Sequence, residues 1–517
     1  MMVNVHGAKC IGIEAVPVTV ELNIMPGIGV HLVGLADAAV KESLLRTITA
    51  LQSRDFHIPG RKIVINLAPA DMHKNGSGYD LPIALGIIAA SGQRALPELG
   101  NYIIMGELGL DGSVRYVPGT LPMVELALSA GFRGCILPER SALEAVEYRQ
   151  TEIYGVRTLD DVFRILGGVE AADDLLIWNK AIVSDPAAEA CEAVDYPDFS
   201  DIIGQEGAKR GMEVAAAGNH NVLLLGQPGA GKSSLAKALA GILPPMTAEE
   251  AVITSKIYSV SGSAQGHFGL MRRRPFRAPH SCVSVPAILG GGSGENIMPG
   301  EVSLATNGVL FMDEFCETPK NVTEALRAPL EDRKVTVSRL RAKVSYPASF
   351  MLVAASNPCP CGYYGDGDRC TCTPGRRTAY LSRLSGPVID RIDIQLLMHP
   401  VDTCQLVHGI KGEPSSAVAA RVLMARKIQG ERFSGEGIFT NAEMSSRHLE
   451  RFCKLDGEGM RLLERIMERK GLSARAYARI VKIARTIADL DGGGDILPRH
   501  ISEAAGYRFL DRQDGFV

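Results

Sequence analysis

No window of the 517-residue chain reaches 18 consecutive apolar residues, so no segment reads as a membrane-spanning helix. The first residues, MMVNVHGAKCIGIEAV, lack the basic start, continuous apolar stretch and small-residue cleavage site of a signal peptide. A cytoplasmic protein with no membrane partner is expected. Net charge is nearly absent too: 55 Lys and Arg against 58 Asp and Glu leave -3. Without a global basic field, any contact with nucleic acid must come from a local patch. Solenoid repeats and low-complexity tracts are missing. Cysteine is sparse and odd in number, 11 in all, with four crowded between Cys359 and Cys372. That spacing speaks for a metal cluster rather than a disulfide framework, and the other seven read as buried or inert.

What is present is the balance of an ordinary globular chain, 46% hydrophobic and 22% charged, over a length that gives about three domains. Val16, Val18, Val20, Leu22 and Ile24 alternate as a half-buried strand should. Val40, Leu44, Ile48 and Leu51 follow at helical spacing, then KIVINLAP reads as a buried strand and LPIALGIIAA as a helix. A hairpin around Asp111-Gly112, a helix over Thr120–Ser129 and a strand at Gly134–Leu137 complete a mixed α/β unit, residues 1–168. Residues 169–200, rich in Ala, Asp and Glu and holding the single Trp178, read as a connection. Residues 201–400 alternate strands and helices as a parallel α/β sheet does, whereas 401–517 is Arg-rich and helical. There Ile480, Ile483, Ile487 and Leu490 share a helix that Asp491 and three glycines stop, and a last helix is expected over His500–Phe509.

The strongest chemical signal is Gly226-Gln227-Pro228-Gly229-Ala230-Gly231-Lys232-Ser233-Ser234, between an apolar strand and a helix-forming run. That context distinguishes a P-loop from a Gly-rich turn carrying a surface Lys. The loop's N–H groups turn onto phosphates, Lys232 reaches the β- and γ-phosphates of ATP, and the Ser233 hydroxyl ligates Mg²⁺. Such a loop needs an acidic partner, and some 80 residues on, Gly308-Val-Leu-Phe-Met-Asp313-Glu314 ends a strand with one. Asp313 is expected to hold Mg²⁺ through water and Glu314 to polarise the attacking water. The strand Phe350–Asn357 ends in an amide able to orient that water. Cys359, Cys361, Cys370 and Cys372 form a CxC-x8-CxC arrangement in a polar loop, suited to tetrahedral Zn²⁺ as a structural centre. A redox pair, inert thiols or an iron–sulfur cluster are the alternatives.

These motifs resemble the Mg-chelatase-like AAA+ ATPases of the YifB/ComM type along nearly the whole chain. The stretches that carry the resemblance are VGLADAAVKES, Asp201-Ile-Ile-Gly-Gln, PFRAPH at 275–280, MPGEVSLATNGVLFMDEF, YPASFMLVAASNPCPCG, SGPVIDRIDI and LSARAYARIVKIARTIADLDG. Gln227, Ser233, Ser281 and Ser356 depart from the usual family residues, and Ser281 removes a usual His pair. The resemblance implies three parts: an N-terminal Lon-protease/S5-like α/β domain, a central AAA+ P-loop parallel-sheet domain and a C-terminal helical lid. It makes Asn357 sensor 1, Arg391 the arginine finger and Arg475 sensor 2, and a finger acting in trans requires an oligomer, in this family a hexameric ring. On the residues alone, Arg391 is as well an ion-pair partner of Asp390 or Asp393, and Arg475 part of a solvated helix face.

The segment Arg333-Lys334-Val-Thr-Val-Ser-Arg339-Leu-Arg341-Ala-Lys343 carries five cations and no acid, patterned for a β-hairpin. In a ring it would face the pore and grip DNA phosphates without reading bases, single-stranded or branched DNA being the expected partner; a solvated surface hairpin is the bland reading. The family is implicated in ATP-driven branch migration of incoming strands in natural transformation. The alternative is a magnesium-chelatase ATPase subunit driving metal insertion into porphyrin, in which the Lon-like domain and the four-cysteine loop are not expected. The Lon-like domain reads as degenerate: Ser77 lies one residue from the expected nucleophile position and Met123 stands where the lysine base should be.

Overall fold

A computed structural model describes residues 2–35, 38–74, 76–168, 172–181, 196–264, 267–292, 297–339, 342–365, 369–384, 386–401 and 411–510. Arg341 and most of the expected connection, 169–171 and 182–195, lie outside the described residues.

The alternation in Glu14–Met25 buries Val18, Val20 and Leu22. This strand pairs antiparallel with Met2–Ile11 on one side and Lys62–Ala68 on the other. They belong to a seven-stranded mixed sheet in the order Val30–Val33, Lys62–Ala68, Glu14–Met25, Met2–Ile11, Tyr102–Ile104, Gly134–Pro138, Glu152–Val156. KIVINLA is expected as a buried strand; it buries only alternate residues, Ile63, Ile65 and Leu67. The helix Asp80–Ala90 is apolar on nearly all sides because it lies between this sheet and the helix Ala38–Gln52. Gly86 is required there: a Cβ would come within 2.1 Å of Leu22. Beyond the boundary expected at 168, Leu175, Ile177 and Trp178 stay packed on this core.

The second sheet has five parallel strands in the order Phe276–Arg277, Val309–Met312, Met351–Ser356, Val222–Gly226, Ile394–Met398. Their continuous apolar runs follow from burial on both faces. Val222 and Leu224 join one core, Leu223 and Leu225 the other. The first core is shared with the C-terminal helices: Val418 and Val422 of Ser415–Arg432 and Ile480, Ile483 and Ile487 of Ala474–Leu490 pack against it. The last helix runs Pro498–Gly506, ending before the expected Phe509. Among the described residues no helix is long and apolar enough to cross a membrane.

The two sheets are joined through the helix Ala248–Ser261. The Ser259 hydroxyl donates to Glu144 at 2.5 Å, the Tyr116 hydroxyl donates to the other oxygen at 3.0 Å, and Gly119 N–H donates to Ser259 C=O at 2.9 Å. Glu144 is buried, and burial pushes its carboxyl up to about 7.

Candidate functional site

The strand Val222–Gly226 delivers the phosphate loop to the N-terminus of the helix Lys232–Ile242. Gly229 and Gly231 adopt φ of +80° and +87°, and a Cβ on Gly226 would sit 2.7 Å from Met398 C=O, so the glycines are dictated by the turn and by a neighbouring strand. The Lys232 amine is buried and donates to Gly226 C=O at 2.6 Å, Gln227 C=O at 3.0 Å and Asn357 Oδ1 at 3.1 Å. Burial lowers its pKa, opposed by the negative charge of Asp313. Lys232, Asn357 and Asp313 therefore meet at the carboxyl ends of three adjacent parallel strands, the usual location of ligands in such sheets.

The Ser233 hydroxyl donates to Asp313 Oδ2 at 2.9 Å, which sets two hard oxygen atoms side by side, a donor set compatible with Mg²⁺. Glu314 is exposed and held at φ +49°, a conformation a non-glycine residue adopts at some cost. Its Oε2 accepts from the Ser281 hydroxyl at 3.4 Å. Ser281, noticed in the sequence only as a departure from the family, is thus the residue facing Glu314.

Gln205, in Asp201-Ile-Ile-Gly-Gln, bridges the phosphate loop and the last strand by donating to Ala230 C=O and His399 C=O. It opens a cleft of about 420 Å³ lined also by Gly207, Leu397, His399, Pro400 and Tyr507. These residues escape sequence reading because they come from three distant segments.

Arg391 and Arg475 are brought together, but away from Lys232. They share a cleft of about 370 Å³ with Asp390, Glu331 and Asn221. Arg391 is paired with Glu331, and Arg475, two-thirds exposed, pairs with Asp390 at 2.8 Å. Asn221 precedes the strand whose far end is Gly226, so at ~3.3 Å per residue the cleft and the phosphate loop are separated by roughly 17 Å of strand.

The Sγ atoms of Cys359, Cys361, Cys370 and Cys372 lie within 4.8 Å of one another. Three of the separations are 3.3, 3.7 and 3.9 Å, bracketing the ~3.8 Å edge of a tetrahedron with Zn–S of about 2.3 Å. The Tyr363 backbone N–H lowers the Cys361 thiol pKa, whereas burial raises that of Cys359 beside it. The loop touches the nucleotide site: a Cβ on Gly362 would come within 2.9 Å of Pro228.

The basic segment forms the antiparallel pair Lys334–Arg339 and Ala342–Pro347. Val335, Val337, Val344 and Tyr346 are buried, whereas Lys334, Arg339 and Lys343 are exposed. Arg333 is not with them. It turns at φ +53° and pairs with Glu443 at 2.5 Å, in the cleft of Arg391. The hairpin abuts the first sheet, where a Cβ on Gly12 would come within 3.2 Å of Ser345 C=O. Between them a cavity of about 600 Å³ is lined by Lys9, Ser77, Met123 and Lys343. The Ser77 hydroxyl donates to Glu107, and Met123, at the position expected for the lysine base of a Ser-Lys peptidase, is a buried apolar side chain.

A P-loop on a parallel sheet, with an acid-tipped strand one place removed across Met351–Ser356, defines a nucleotide-binding AAA+ fold. The family described as "Magnesium chelatase, subunit ChlI" matches residues 198–406, "Subunit ChlI of Mg-chelatase" 20–141, and "Magnesium chelatase, subunit ChlI C-terminal" 412–508. The chain is 42% identical over 511 residues to competence protein ComM of Haemophilus influenzae, covering 98% of this chain and 97% of that one. It is 41% identical over 519 residues to the uncharacterized protein YifB of Escherichia coli, with the same coverage. An archaeal Lon protease of Methanocaldococcus jannaschii is 29% identical over 146 residues, 28% of this chain and 22% of that one. The chain belongs to the Mg-chelatase-like AAA+ ATPases of the YifB/ComM type.

Proposed function

We propose that the chain is one subunit of a homo-hexameric ATPase ring that moves on DNA, acting as a helicase or in branch migration when incoming strands recombine. The observation that carries this reading is the placement of Arg391 and Arg475 at the opposite end of the sheet from Lys232. An Arg stabilises the charge of a transferred γ-phosphoryl only by reaching it. Across roughly 17 Å of strand neither reaches its own nucleotide, so both serve the site of a neighbouring subunit.

In that site the loop N–H groups and Lys232 bind the phosphates, and the cleft beside Gln205 and His399 takes the base. Ser233 and Asp313 hold Mg²⁺, which when bound neutralises phosphate charge. Glu314 accepts the proton of the attacking water, and Asn357 orients that water. The four cysteines hold a structural Zn²⁺. Lys334, Arg339 and Lys343 on the exposed hairpin grip DNA phosphates, with Arg341 between them in sequence, and Arg333, occupied by Glu443, contributes to the subunit contact instead. The competence name of the Haemophilus influenzae relative supports the recombination setting. A second reading, a chelatase-type ATPase subunit, is favoured by the family description; its ATPase would respond to a porphyrin-binding partner protein and not to DNA.

Mixing subunits tests the ring. Arg391→Ala and Lys232→Ala proteins are each inactive alone and regain partial ATPase activity together, because each supplies what its neighbour lacks. Mixtures that co-assemble yet stay inactive at every ratio contradict the trans assignment.

A further inference from the structure

The segment that presents Arg391 is held by one side chain at the base of the P-loop strand. Asn221 Nδ2 donates to Arg391 C=O at 2.8 Å, and Asn221 Oδ1 accepts from Leu352 N–H at 2.8 Å. Its backbone closes the same joint: Asn221 N–H donates to Asp393 Oδ2 at 3.2 Å, and Asn221 C=O accepts from Asp393 N–H and Ile394 N–H, both at 3.0 Å. A main-chain donor on one side and a main-chain acceptor on the other fix the orientation of the amide. Among short side chains, Asn carries its donor and its acceptor on separate atoms and so spans both partners.

The three strands that meet at this joint are consecutive in the sheet, Ile394–Met398 forming its edge. Val222–Gly226 leads from Asn221 to the phosphate loop, Met351–Ser356 leads from Leu352 to Asn357, and Ile394–Met398 leads from Arg391 to His399. Their register is continuous, Val222 pairing with Val353 and Ile394, and their side chains are almost wholly buried. Such a block transmits displacement rather than absorbing it. Asp393 extends the joint to the lid, where Arg479 donates to it at 3.0 Å four residues beyond Arg475.

We infer that Asn221 is a positioning residue for hydrolysis in the neighbouring subunit: it locks the Arg391 segment onto the strands whose other ends bind the subunit's own nucleotide. This rests on the reading of Arg391 as a trans finger. Asn221 touches no reacting group. Its loss leaves a subunit's own site able to bind ATP and able to hydrolyse it when the neighbour supplies a well-held Arg391.

The experiment uses Asn221→Asp, which keeps the acceptor for Leu352 N–H and removes the donor to Arg391 C=O, beside Asn221→Ala, which removes both. Full-length Asn221→Asp assembles as wild type and alone shows a kcat lowered about tenfold or more with KM for ATP changed less than about twofold. Mixed with Lys232→Ala subunits, its turnover per intact phosphate loop rises severalfold, as it does for Arg391→Ala. Hydrogen exchange of residues 386–394 is faster than in wild type, whereas that of 226–234 is unchanged. If Arg391→Ala is rescued by mixing and Asn221→Asp is not, the positioning role is overturned and the trans finger stands. If neither is rescued, the finger reading fails and the inference with it. Unchanged exchange over 386–394 overturns the inference whatever the kinetics.

Discussion

The Lys232 amine and Asn357 Oδ1 lie 3.1 Å apart, joining the phosphate loop to the end of a strand 125 residues further along the chain. The contact puts the cation proposed to reach the phosphates and the amide proposed to orient water in one place, and the next strand tip carries Asp313, which accepts from Ser233 and from the Glu314 N–H. From this arrangement Lys232→Ala abolishes nucleotide binding. Glu314→Gln retains ATP binding and loses turnover by about 10²-fold or more, since only the proton acceptor is removed. Binding of a fluorescent ATP analogue together with phosphate release separates the two outcomes; normal turnover by Glu314→Gln takes that residue out of the catalytic role.

The cysteine loop predicts about one zinc per chain, lost in a Cys359→Ser, Cys372→Ser double variant. Because Gly362 packs on Pro228, metal loss also weakens ATP binding, while the thermal unfolding of the rest of the chain changes little. Elemental analysis of protein prepared without chelator checks the metal, and a metal-free wild type contradicts the assignment.

On the hairpin, Arg339→Glu with Lys343→Glu weakens DNA binding uniformly across sequences, since phosphate contacts carry no base information. The slope of log K against log salt falls by about one unit per lost contact. Arg333→Ala leaves that slope unchanged, because its guanidinium is engaged by Glu443. Fluorescence anisotropy titrations at several salt concentrations distinguish the two.

Glu144 gives the joint between the two sheets a pH dependence. Its folded pKa, about 7, lies above its ordinary 4.5 because burial disfavours the charge. A raised carboxyl favours the fold fully below pH 4.5 relative to higher pH, and that stability is lost as pH rises through 7. Glu144→Gln accordingly stabilises the chain at pH 8, by on the order of 2–3 kcal/mol, and the gain shrinks toward pH 5. Denaturant melts at the two pH values test this; an equal effect at both removes the buried charge as the cause.

Much of the nucleotide site was legible in the sequence, because its motifs are local: a strand end, a glycine turn and a helix start fix Gly226–Ser234 within a few residues, and an apolar run tipped by Asp313-Glu314 announces its own place. What joins distant segments was not legible. Arg475 pairs with Asp390, and Arg333 with Glu443, across 85 and 110 residues. Gln205 and His399 meet across 194. Such pairings are set by which strands neighbour each other in the sheet, and composition and periodicity do not encode that order. Trp178 shows the same limit: a segment without periodicity read as a connection, yet its Leu175, Ile177 and Trp178 lie on the first core.

On the proposed function, hydrolysis at Lys232, Asp313 and Glu314 is coupled to DNA through the hairpin. The most direct measurement is the steady-state ATPase rate of the wild-type assembly alone and with single-stranded, duplex or forked DNA, repeated with the Arg339→Glu, Lys343→Glu variant. The account predicts severalfold stimulation of the wild type, strongest with single-stranded or forked DNA, and a variant that keeps its basal rate but loses the stimulation. A wild-type rate indifferent to all three DNAs would contradict it.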